Sequence, residues 1–203
     1  MLKSMKIKAG HVIGIAALGG LAWYLRDKNP YHIFGSGFID FTGSKKDPSQ
    51  LLKALEDTQT QLSRKFRELP DTPENRKQLG HILAIERWGT NKLKVFNGGE
   101  LLNDSSQEYY PSEEDSMESL MNQFTETRQE TIKVGQEAIA NADQQKVEHD
   151  QFGPLSAAGW IQYLNYHAFL EAYKFKKAEP VSLQDGKEED AQEISSQTPG
   201  LQS

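Results

Sequence analysis

The pattern of apolar and polar positions divides the chain into four helical stretches set between two segments of different character. The first opens at Asp47-Pro48, an N-cap acid followed by proline at the first helical position, and runs to about Leu69 before Pro70 stops it. Its Leu51, Leu52, Leu55, Leu62, Phe66 and Leu69 recur at three, four and seven, which makes one buried stripe. The second opens at Thr72-Pro73 with the same signature and carries Leu79, Ile82, Leu83, Ile85, Trp88, Leu93, Val95 and Phe96 up to a Gly98-Gly99 stop. The third, the most polar, is expected from Ser112, with Glu113, Glu114 and Asp115 in its first turn, to about Ala142. The fourth is expected from about Ser156, through Trp160, Ile161, Tyr163, Leu164, Phe169, Leu170 and Phe175, to about Lys177. No alternation of period two competes with these. The expected fold is all-α, an up-down four-helix bundle over 47–178.

The flanks read differently. Lys3, Lys6 and Lys8 precede an uncharged run of 17 residues from Ala9 to Leu25, and Arg26 and Lys28 follow it. This predicts an N-terminal apolar helix over 1–28, at the short limit for a span. No clear small-residue cleavage site marks it as a secretory leader, so an uncleaved membrane anchor is favoured over a removed leader or an apolar helix packed on the domain. The Lys excess on the N-terminal side places the soluble domain outside the cytoplasm, tethered by a single span. Gly10 and Gly14 have the spacing of a helix-dimer face, incidental in so glycine-rich a stretch. Residues 29–46, with Tyr31, Phe34, Phe38 and Phe41 among glycines, read as a linker. Residues 179–203 carry six acids and one Lys with few large apolar groups, and read as a disordered acidic tail.

Composition narrows the chemistry. A length of 203 residues suits one core with appendages. The absence of cysteine excludes a disulfide framework, a thiolate-held zinc or iron-sulfur site and a thiol nucleophile. The net charge of -6 lies almost wholly in the tail, so there is no basic footprint and no nucleic-acid partner is expected.

Three histidines fall in the helical region, His81, His149 and His167. On the fourth helix Trp160, Leu164, His167 and Glu171 share one stripe, and His167 and Glu171 are i and i+4, with Cβ atoms about 5–6 Å apart. On the second, His81 lines up with Ile85 and Trp88. His81, His167 and Glu171 therefore form a candidate two-histidine, one-carboxylate set for a divalent metal that leaves coordination positions open. The same His-Glu spacing also forms a plain helix-stabilising contact. His149 reads as a loop or capping residue, Trp88 and Trp160 as core, and all three as candidates to support the metal ligands from behind. Glu86 and Arg87 read as a solvated pair.

The run Thr72-Pro73-Glu74 into Leu79-Gly80-His81-Ile82-Leu83-Ala84-Ile85-Glu86-Arg87-Trp88-Gly89, with His149-Asp150-Gln151-Phe152-Gly153-Pro154-Leu155-Ser156 and then Trp160 to His167, resembles the DinB-like metal-binding bundle superfamily over 47–178. The resemblance implies a bundle, often dimeric, in which His81 and His167 match the first two metal ligands. The third position holds Glu171 where the family pattern has His, a harder donor. It implies zinc, nickel or manganese as the cofactor, and a metal-dependent hydrolase or thiol transferase as the activity. The competing expectation is a non-catalytic, membrane-associated interaction or assembly module that has lost tight metal binding, as a homodimer or larger membrane assembly.

Overall fold

The computed structural model describes residues 35–177. The expected apolar helix over 1–28 and acidic tail over 179–203 lie outside the described residues, and among the described residues no helix is long and apolar enough to cross a membrane.

The chain is mostly helical. A π-helical turn, Gly35–Asp40, runs into the short helix α1, Phe41–Ser44. The long helices are α2, Pro48–Arg67; α3, Pro73–Val95; α4, Met117–Asn141; and α5, Ala157–Glu171, which continues as a 3-10 turn, Ala172–Lys174. Each long helix starts where a side chain satisfies a free N-terminal amide. Asp47 accepts from Ser49 N, Thr72 from Asn75 N, Ser116 from Ser119 N and Ser156 from Gly159 N.

Helix α4 starts five residues later than the run of acids suggests. Ser116 supplies its cap, Asp115 accepts from Ser119 Oγ (2.8 Å), and Asp71 Oδ2 accepts from Met117 N (3.3 Å). The acids from Glu113 to Asp115 precede the helix, because dipole preference is weaker than a complete cap.

Two features depart from the expected pattern. Val147–His149 and Gly153–Leu155 form an antiparallel hairpin, β1 and β2, with Val147 opposite Leu155 and His149 opposite Gly153. Three-residue strands are too short to show alternation. From Gly35 onward, the segment expected as linker is helical and fastened to the start of α5. Its buried Asp40 accepts from Ser156 N (2.7 Å), Ser156 Oγ (2.5 Å) and Lys146 Nζ (2.7 Å).

The core has two apolar clusters. One gathers Leu51, Leu55, Trp88, Leu93, Val134, Ala138, Trp160, Ile161 and Leu164, and the other Leu62, Phe66, Leu79, Leu83, Leu120, Phe124 and Ala168. Following each helix between clusters gives its direction: α2 and α5 run one way, α3 and α4 the other. Cross-helix pairs agree. Arg87 meets Gln123, Thr90 meets Thr131 and Lys94 meets Glu130, all parallel, whereas Gln78 meets Glu171 and His81 meets His167, antiparallel. The strict alternation expected along the chain therefore fails at α4, because the crossover 96–116 carries the chain back to the starting end of α3.

Helices α3 and α5 approach closely at Gly89, where a Cβ would lie 2.5 Å from Leu164 Cδ2. A side chain there would push apart the two helices that carry the histidines.

Candidate metal centre

His81 lies in the first half of α3, whose buried positions include Leu79, Ile82 and Leu83 on either side of it. His167 and Glu171 lie one turn apart near the end of α5. Because α3 and α5 run antiparallel, these stretches meet. The Nε2 atoms of His81 and His167 are 3.2 Å apart, with ring centroids 5.0 Å apart. His81 Nε2 is 4.0 Å from Glu171 Oε2. One ligand atom from each residue lies within 4.8 Å of the other two, so the trio can hold a metal ion.

The spacing suits coordination. Two imidazole nitrogens on one tetrahedral ion, each about 2.0–2.1 Å from it, stand roughly 3.3 Å apart. The carboxylate oxygen needs a further approach of several tenths of an ångström. All three residues are half-buried, so the site lies near the surface between α3 and α5 rather than at the centre of the helices, with the His81 side chain 35% exposed.

Charge favours the ligating forms. Burial, then the neighbouring His81, push the His167 pKa down to about 4, against an upward pull from Glu171. Burial also lowers the His81 pKa, again opposed by Glu171. Burial raises the Glu171 carboxyl, but hydrogen bonds from Lys174 and Gln78 outweigh it and hold the group below its ordinary value. Near neutral pH both rings are neutral and the carboxylate is charged, the protonation states that ligation requires.

Three other side chains hydrogen-bond to the trio. Gln78 Nε2 donates to Glu171 Oε2 (2.8 Å), Lys174 Nζ to Glu171 Oε1 (2.7 Å), and the Tyr110 hydroxyl lies 2.8 Å from His81 Nδ1. Gln78 was legible in principle, since it precedes His81 by three on one helix face. Tyr110 was not, because it comes from the crossover.

Trp88, Trp160 and His149 hydrogen-bond elsewhere. Trp88 Nε1 donates to Asp104 O (3.3 Å) and Trp160 Nε1 to Val147 O (3.1 Å). His149 Nδ1 accepts from Gln151 N (3.1 Å) and Phe152 N (3.3 Å), closing the hairpin turn. The three rings form one aromatic cluster with Phe152 and Tyr163, and Tyr163 alone of these rings stacks on His167, at 5.8 Å. His149 is thus a buried strand residue that caps a turn.

Glu86 and Arg87 are not a solvated pair. Glu86 is buried and faces Arg128 of α4, while Arg87, half-buried, donates to Gln123 Oε1 (2.7 Å).

Compared with known proteins, the chain matches no family model, no curated protein and no solved structure.

Proposed function

We propose that this chain is a membrane-tethered, DinB-like four-helix bundle that binds one divalent metal through His81, His167 and Glu171. The observation that carries this reading is the convergence of two Nε2 atoms, 3.2 Å apart, and a carboxylate from two helices, all within 4.8 Å. Two nitrogens and one oxygen suit zinc, nickel or manganese, and three protein ligands leave a position for water or substrate. An ion held there would act as a Lewis acid and lower the pKa of bound water. The chain's own part is to present two neutral imidazoles, to keep the Glu171 carboxylate ionised through Gln78 and Lys174, and to leave the His81 side open to solvent. This suits a hydrolase or a thiol transferase.

Elemental analysis of the full chain, purified in detergent without chelator and reconstituted with zinc, nickel or manganese, tests the reading. Near-stoichiometric metal that is lost in His81→Ala, His167→Ala and Glu171→Ala supports it. Absence of metal in the parent removes it.

One observation favours a second reading, a metal-free interaction module. The trio already satisfies itself: the rings contact each other, and Gln78 and Lys174 hold both carboxylate oxygens of Glu171. A parent chain without metal that nonetheless loses stability in the same variants would support this reading.

A further inference from the structure

Three consecutive crossover residues lie on α3 beside His81. The Tyr109 hydroxyl donates to Asp104 and accepts from Asn91 Nδ2 (2.9 Å), and its carbonyl accepts from Arg87 Nη1 (3.3 Å). Asp104 is held in turn by the buried Lys92 (2.5 Å). On the other side Pro111 rests on Gly80, where a Cβ would stand 3.3 Å from Pro111 Cγ, so the missing side chain lets the crossover lie this close. With the backbone fastened before and after it, Tyr110 lies beside His81, its hydroxyl 2.8 Å from Nδ1.

We infer that Tyr110 is a positioning residue of the metal centre: by accepting the Nδ1–H of His81 it holds the ring in the tautomer whose Nε2 lone pair faces His167 and Glu171. This rests on the metal-binding reading of the trio. A neutral imidazole carries one proton, and a ring that offers Nε2 to a cation must keep that proton on Nδ1, where it needs an acceptor. Among the described residues the Tyr110 hydroxyl is the hydrogen-bond partner of His81 Nδ1. Binding and positioning are reciprocal, so a cation on Nε2 strengthens the Nδ1–H donor and steadies the crossover by the same factor that Tyr110 adds to affinity.

The test is a competitive zinc titration of the full chain in detergent, parent against Tyr110→Phe, with imidazole nitrogen chemical shifts of His81 recorded without metal. Loss of the hydroxyl should weaken zinc binding about tenfold, within the range for groups behind metal ligands, and leave the urea midpoint nearly unchanged. The parent His81 should carry its proton on Nδ1, and the variant should show a mixture of tautomers. Gly80→Val, which lifts Pro111 without touching the tyrosine, should weaken binding similarly. Equal affinity of parent and Tyr110→Phe, or a parent His81 protonated on Nε2, would overturn the inference. Failure of the parent to bind zinc, nickel or manganese is a separate result: it removes the metal reading, while the tautomer measurement still decides whether Tyr110 orients His81.

Discussion

Glu86 of α3 and Arg128 of α4 form an ion pair with Nη2 3.0 Å from Oε2 and side-chain exposures of 1% and 0%. Along α3 Glu86 follows Ile85, where the helix has just passed from one apolar cluster to the other, and Arg128 lies between Phe124 and Val134, so the pair sits close to the junction of the two clusters. Several of its polar atoms, including Glu86 Oε1 and Arg128 Nε, have no hydrogen-bond partner among the described residues.

That arrangement predicts opposite outcomes for breaking and replacing the pair. Glu86→Gln should destabilise by about 3–5 kcal/mol, because it leaves a guanidinium buried without its counter-charge. The double variant Glu86→Leu with Arg128→Leu should recover most of that loss, since two incompletely bonded charges give way to apolar packing. Urea unfolding of the single and double variants checks it, and a double variant as unstable as the single would refute the argument.

Gly89→Ala should destabilise although alanine is the better helix former. The gain in propensity is about 1 kcal/mol, but the new methyl would overlap the fully buried Leu164, and overpacking costs about 1–3 kcal/mol. A lowered urea midpoint together with weakened zinc binding is the expected pair of readings, because the same contact sets the spacing of the histidine helices.

Acid should weaken the fold through His149. Burial lowers its pKa from 6.5 to about 4, so the unfolded chain takes up the proton first. The stabilisation is complete above about pH 6.5 and is lost as pH falls from about 6.5 to about 4, a loss of roughly 3 kcal/mol. His149→Asn keeps an acceptor for the hairpin amides but does not titrate. Its stability should fall less steeply between pH 7 and pH 4, with the remaining slope coming from His167 and His81 and, at the acid end, from carboxylates such as Glu171, whose pKa values are all lowered.

Lys174 helps to keep Glu171 ionised, as Gln78 also does, but it repels a bound cation, and near neutral pH the repulsion decides, so removing Lys174 should strengthen metal binding. Lys174 Nζ lies 2.7 Å from Glu171 Oε1 and is 62% exposed, so its repulsion of a bound ion is well screened. Lys174→Met should raise zinc affinity by about fivefold, equivalent to roughly 1 kcal/mol of charge repulsion. Isothermal titration at low and high salt distinguishes this from a packing effect, since the gain should shrink with salt.

Asp40→Asn should release the segment before α2. The carboxylate that joins Ser156 and Lys146 loses its charge, and trypsin cleavage at Lys45 and Lys46 should accelerate well before global unfolding. Unchanged protection would show that Ile39 and Gly43 hold the segment without it.

The helices were legible along the chain because their signals are local: Asp47-Pro48, Thr72-Pro73 and Ser156 each cap a helix with atoms two or three residues away. The trio was legible in part, since His167 and Glu171 lie one turn apart and His81 shares a stripe with Ile85 and Trp88. What tertiary structure alone decided involves partners distant in sequence. Arg128 makes Glu86 a core residue, the crossover reverses α4 and brings Tyr110 to His81, and Asp40 turns a linker into a docked helix by reaching Ser156. Caps and hydrophobic period are short-range and appear in any window of ten residues, whereas which charge meets which, and which way a helix runs, depends on packing free energies that exist only once the helices meet.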